Sequence, residues 1–173
     1  MINRVVEGIS GPSAVDPTAT AAQPVAAHRP RTRVGLHVCR GNWSRREDVL
    51  LTGDYVPLLP AFERMRLDQF VLEYSTPRAG DVAVIGQALG GARGREIGLG
   101  VVNPRTEEPE SIEEICSRVE RALEFFPPER IWLNPDCGFG CFANRCVNDE
   151  ATAVRKMARI AEAAEMLRRR YGG

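Results

Sequence analysis

The stretch "VGLHVCRGNW" (34–43) sets a histidine and a cysteine two residues apart, His37 and Cys39, in an otherwise apolar run. In an extended chain, residues i and i+2 share a face. The imidazole and the thiol therefore point together, away from Leu36 and Val38. Glu73 is the one charged residue in the apolar "FVLEY" (70–74), and Cys137 follows another apolar run in "LNPDCGFG" (133–140). One imidazole, two thiolates and one carboxylate make a four-coordinate set suited to zinc. Each residue also has a plainer role. A cysteine on a strand or helix face commonly serves as a small core hydrophobe, and Cys116, on the apolar stripe of a helix, is read that way. Glu73 alone fits a core carboxylate paired to an arginine such as Arg78. Two ligand types at i, i+2 are what favour a metal at His37 and Cys39.

Two further patterns carry less. Cys137, Cys141 and Cys146 have C-x3-C-x4-C spacing, near an iron–sulfur motif. The run comes late in the chain, however, and its last gap is too long, so Cys141 and Cys146 read as free loop thiols. The glycine-rich "GGARGREIGLG" (90–100) precedes a strand rather than opening a helix. It therefore fails the context needed for phosphate binding.

The elements that must position these residues follow from apolar spacing. Short apolar runs at 34–39, 69–74, 96–103 and 130–134 read as strands. Leu58, Leu59, Phe62 and Met65 have helical spacing, with Pro57 and Pro60 in the first turn, where proline is tolerated. Ser111 and Glu114 form a capping box, and Ile112, Ile115, Cys116, Val119, Ala122 and Leu123 make the stripe behind it. A last helix runs from about Asp149 to Arg170, with Asp149 and Glu150 at its start and Arg168, Arg169 and Arg170 at its end, as the helix dipole favours. Strands alternating with helices predict βα units and a parallel sheet. His37, Cys39, Glu73 and Cys137 all fall at the carboxyl ends of these strands, the edge where such folds build sites. Four units in about 140 residues suit a small doubly wound sheet or half of an eight-stranded barrel, which needs about 250 residues.

The 173 residues suffice for one domain with a core. Lys plus Arg, 23, equals Asp plus Glu, 23, so charge gives no argument for nucleic acid or an anionic membrane. No apolar run approaches the roughly 20 residues that span a bilayer, and "MINRVVEGIS" lacks a signal-peptide pattern. A cytoplasmic protein is expected, with its five cysteines as thiols or metal ligands rather than disulfides. Residues 1–32, rich in Ala, Pro, Thr and Ser, read as a flexible leader. His28 within it is expected to be solvated and without a role.

"GLHVCRGN", "VLEY", "GLGVVNPRTEEPES" and "IWLNPDCGFG" resemble the C-terminal catalytic barrel of the cobalamin-independent methionine synthases, the 5-methyltetrahydropteroyltriglutamate–homocysteine methyltransferases. The likeness runs from about Arg33 to Tyr171. It implies an α/β fold over 33–173, four βα units equivalent to the second half of a (β/α)8 TIM barrel of the UROD/methionine-synthase-like type. It implies a catalytic Zn2+ held by His37, Cys39, Glu73 and Cys137. The implied substrates are homocysteine and methylfolate, the N5 methyl passing to the homocysteine thiolate. Asp136 would orient a ligand or bind the substrate amine, a turn-stabilising role being the alternative. The residues that hold the amino-acid part of homocysteine, and much of the folate site, would lie in a half barrel this chain does not match. The expected partner is therefore a separate N-terminal half-barrel chain or a second copy in a homo-oligomer. The alternatives are a zinc-dependent relative using another thiol or methyl donor, and a non-catalytic zinc-binding remnant.

Overall fold

Strands β1 (Gly35–Val38), β2 (Gln69–Glu73), β3 (Glu96–Val102) and β4 (Ile131–Pro135) lie side by side in chain order, every neighbouring pair parallel. The computed structural model describes residues 32–91 and 94–172; His28 and nearly all of the expected leader lie outside them. Parallel neighbours need crossover connections, and the chain supplies them with helices on one face of the sheet. Phe70, Leu72, Ile97, Leu99 and Val101 are buried on that face, in one core with Phe62, Ile115, Val119, Ala122, Ile160 and Leu167. The opposite face carries Gly35 and His37, then Val71 and Glu73, then Gly98 and Gly100, then Trp132 and Asn134, in register across the sheet. His37 therefore faces away from the helix layer, as its spacing predicts.

Helix α1 (Leu59–Arg64) opens with proline in its first turn and buries Phe62. Helix α2 (Ile112–Leu123) closes both halves of its capping box. Ser111 Oγ accepts from the Glu114 N–H at 3.1 Å, and the Glu114 carboxylate accepts from the Ser111 N–H at 2.8 Å. Its stripe buries Ile115, Cys116, Val119 and Ala122. Helix α3 (Glu150–Tyr171) starts at Asp149, whose carboxylate accepts from the Thr152 N–H at 2.7 Å, and stops at Gly172 in the left-handed region. Among the described residues no helix is long and apolar enough to cross a membrane.

Between β2 and β3 the connection is made of short turns, at Pro77–Ala79, Ala83–Ile85 and a wide π-helical turn at Gly86–Gly90. Glycine is required there because a Cβ on Gly86 would lie 2.2 Å from Phe125 Cγ, at the end of α2. The loop after β3 is held from below by α3. Lys156, fully buried, donates to Thr106 Oγ1, the Glu108 carbonyl and the Glu110 carboxylate at 3.0, 2.7 and 3.1 Å. Asn148 Nδ2 donates to the Pro104 and Thr106 carbonyls at 2.6 and 2.8 Å. A buried ammonium is tolerated only when its donors are satisfied in this way.

Candidate metal centre

β1 and β4 are the outermost strands of the sheet. In a flat sheet three strand spacings would hold them about 14 Å apart. Yet Cys39, just past β1, and Cys137, just past β4, bring their sulfurs to 3.7 Å. With His37 they form a group whose ligand atoms all lie within 4.8 Å of one another. The sheet is therefore strongly curled, its concave face carrying the group at the carboxyl ends of the strands. The amino ends show the same closure: the Arg33 guanidinium sits 5.3 Å from the centre of the Trp132 ring.

The surroundings fit a metal. His37 Nδ1 lies 3.1 Å from the Val71 carbonyl. A carbonyl only accepts, so the proton is on Nδ1 and the Nε2 lone pair is free for a ligand role, the usual arrangement behind a metal-bound histidine. Two sulfurs on a tetrahedral zinc, each at about 2.3 Å, stand about 3.8 Å apart, close to the separation seen here. The Gly41 N–H also points at Cys39 Sγ, at 3.4 Å. Burial and the adjacent Cys39 sulfur push the Cys137 thiol up to about 12. The Cys137 thiol keeps its proton at neutral pH until a cation replaces it.

Two buried carboxylates brace the strand ends. Glu73 is only 2% exposed, and its Oε1 accepts the Arg40 N–H at 2.8 Å. It thereby ties the end of β2 to the residue after Cys39, and it is not part of the three-residue group. Asp136 is 3% exposed. Its Oδ1 accepts the Tyr74 and Ser75 N–H groups, both at 3.0 Å, and its Oδ2 accepts the Ser75 hydroxyl. Burial pushes its carboxyl up to about 6, against the pull of the Ser75 hydrogen bonds. Asp136 thus acts as a brace that ties the residue before Cys137 to the end of β2. It reaches across β3 at Gly100, where a Cβ would lie 2.2 Å from Asp136 Oδ1. The two sulfurs come from opposite edges of the sheet, and each is anchored to the end of β2.

Of the remaining cysteines, Cys116 is buried on α2, while Cys141 and Cys146 are exposed and free. Of the C-x3-C-x4-C run, only Cys137 joins the group. Cys141 adopts φ +48° and places its sulfur near the Gly138 and Asn42 carbonyls, at 3.5 and 3.8 Å. Sequence reasoning did not find Gly100, or Arg40 as the partner of Glu73. Neither carries a side-chain signal, because one contributes an absent Cβ and the other a backbone N–H.

Residues 14–163 match the family model described as "Cobalamin-independent synthase, Catalytic domain". The chain is 30% identical over 139 residues to a methionine synthase of Pyrococcus horikoshii, covering 80% of this chain and 35% of that protein. It is 30% identical over 142 residues to a methionine synthase of Thermococcus kodakarensis, again over 80% and 35%. The chain thus spans about a third of the length of these relatives. Its fold is similar to that of a B12-independent methionine synthase from Shewanella sp. W3-18-1 solved with selenomethionine. That match has a TM-score of 0.63 and 18% identity, over 80% of this chain and 39% of the other. A curled, all-parallel βα sheet with His37, Cys39 and Cys137 gathered at its carboxyl edge, matched by the family model over most of its length, makes this chain a member of the cobalamin-independent methionine synthase catalytic-domain family.

Proposed function

We propose that the chain is the zinc-carrying part of a methionine-synthase-like methyltransferase, with His37, Cys39, Cys137 and Glu73 as ligands and homocysteine and a methylfolate as substrates. The observation that carries it is the 3.7 Å separation of two sulfurs from opposite edges of the sheet, beside an imidazole already oriented by Val71. A zinc ion there supplies one thing, a lowered pKa for a substrate thiol, so that the thiolate is present at neutral pH. The thiolate sulfur forms a bond to the N5 methyl carbon, the carbon–nitrogen bond breaks with its electron pair left on N5, and N5 takes up a proton. The chain's own residues hold the geometry. Val71 orients His37, the Gly41 N–H supports Cys39, and the Asp136 brace sets Cys137. Glu73 would supply the fourth ligand, one of its oxygens being held by the Arg40 N–H, and Asp136 serves as a brace rather than a contact to the substrate amine. Thiol ligands of this kind suit a reducing compartment, the cytosol.

The rest of the reaction site belongs to a complementary set of βα units, a separate N-terminal half barrel. A second copy suits the concave face poorly, since it would bring a second pair of facing thiols to the same mouth. The experiment is metal analysis of the purified chain with its variants. Wild type should carry about one zinc per chain. Cys39→Ser and Cys137→Ser should each lose it, and Cys116→Ser should keep it. Equal zinc in wild type and Cys137→Ser would remove the assignment.

A further inference from the structure

Helix α3 has two apolar stripes, and the core uses one of them. Thr152, Lys156, Ile160, Ala163 and Leu167 are buried beneath it. Met157, Ala161, Ala164 and Tyr171 form a second stripe, with the alternating spacing of a helix-packing seam. Together with Trp132 on the edge strand β4 they line an open apolar groove. Met157 and Tyr171 are 45% and 40% exposed. Ala161 and Ala164, in the middle of the seam, leave room for another helix to come close. The described chain begins beside this groove, since the Arg33 guanidinium lies 5.3 Å from the centre of the Trp132 ring.

We propose that this groove is the docking site of the chain's own segment "MINRVVEGIS" (1–10), bound as a short amphipathic helix. Ile2, Val5, Val6 and Ile9 recur at i, i+3, i+4 and i+7, one face of a helix. Arg4 and Glu7 fall on the opposite face, toward water. The seam from Met157 to Tyr171 runs about 21 Å along α3. A connection the length of residues 11–31 reaches about 25 Å even as a coil, and further where prolines extend it, so a segment tethered at Arg33 can lie along the seam. A helix this short does not hold in water by itself. Its apolar stripe and the open groove each supply the buried contact that the other lacks. The inference rests on neither zinc nor methyl transfer. Complementary βα units docking beside β4 would need the same groove, and the segment would have to leave it first.

The chain has four methionines, and two of them make the test. Met157 lies in the groove, whereas Met166, 42% exposed, lies on the other flank of α3 and serves as the internal control. NMR of the full chain with labelled Met, Ile and Val methyl groups should show cross-peaks between the Met157 methyl and those of Val5, Val6 or Ile9, which need direct packing. Removing residues 1–10 should shift the Met157 signal and leave that of Met166 in place. The paired substitution Val5→Asp and Val6→Asp should do the same, and Arg4→Ala, on the far face, should do neither. A peptide of residues 1–10 added to the shortened chain should return the Met157 signal saturably. A Met157 signal identical in the full and shortened chains, both folded by circular dichroism, overturns the proposal, as does the absence of those cross-peaks. A Met157 shift that follows protein concentration alike in both chains assigns the groove to a second copy and also overturns it.

Discussion

Glu73→Gln separates the two tasks open to one carboxylate. The amide oxygen can still accept the Arg40 N–H now bonded to Glu73 at 2.8 Å, so the loop after β1 keeps its anchor. What is lost is a negative oxygen able to ligate. If Glu73 is a ligand, the variant should melt within about 1 kcal/mol of wild type, the net worth of one such hydrogen bond, and bind zinc at least about tenfold more weakly, as expected when a metal ligand or its support is lost. Unchanged zinc affinity would leave Glu73 as an anchor only. Gly100→Ala probes the brace on the other side. The new methyl would meet Asp136 Oδ1 at 2.2 Å and the Leu72 carbonyl at 2.8 Å, and both the strand and the Asp136 loop must move. The expected loss is about 1–3 kcal/mol, typical of an overpacked site. Zinc affinity should fall with it, because Cys137 follows Asp136 directly. Denaturant melts and a competitive zinc titration read the two effects separately.

The element scale shows what the sequence made legible. Apolar spacing located all four strands and α1, α2 and α3, because each element buries one face against the same core. The Ser111–Glu114 box was readable because capping is local, made within three residues; Asp149, read from sequence as a first-turn acid favoured by the helix dipole, proves to be the N-cap. The π-helical turn at Gly86–Gly90 was not, since its cause is Phe125, far along the chain. Nor was the burial of Lys156, whose partners Thr106, Glu108 and Glu110 belong to a different loop. For the site, His37, Cys39 and Cys137 were legible from residue type and strand phase. The Asp136 brace was open between two roles because its partners, the Tyr74 and Ser75 N–H groups and the Ser75 hydroxyl, lie 61 or 62 residues away in sequence. The caps give a prediction of their own. Ser111→Ala should destabilise by about 1 kcal/mol, and Asp149→Ala should destabilise as well. Hydrogen bonds from Ser111 lower the pKa of Glu114, and those from Thr152 lower that of Asp149. A carboxyl lowered in the folded state stabilises the fold above its unfolded pKa and ceases to do so as pH falls through its folded value. Melting followed by circular dichroism should therefore show wild type losing stability on acidification below about pH 4, while the Asp149→Ala variant loses less.

At the scale of the whole molecule, β1 and β4 each present one edge without a strand partner among the described residues. Beside the β4 edge, an apolar groove of about 550 Å³ runs between α2 and α3, lined by Val119, Leu123, Ile131, Ile160 and Leu167. Open edges and apolar grooves of this kind recruit pairing strands, and the relatives are about three times as long as this chain. Under the proposed function, the occupant would be a complementary set of βα units. Zinc binding and methyl transfer should accordingly come apart. The isolated chain should load zinc yet form methionine from homocysteine and methylfolate at background level, and a separately expressed first half barrel should restore turnover. Robust synthesis by a monodisperse monomer would overturn that division.

Cys39 and Cys137 are 98 residues apart in sequence. A metal that takes both sulfurs closes a loop of nearly the whole sheet, and closing a loop of that length by a covalent link would remove about 4–5 kcal/mol of unfolded-chain entropy. An ion held there would therefore be a clasp as well as a reagent. Its two sulfurs meet only when β1 and β4 are both in the sheet, so metal uptake by refolding protein would report when both edges are in place.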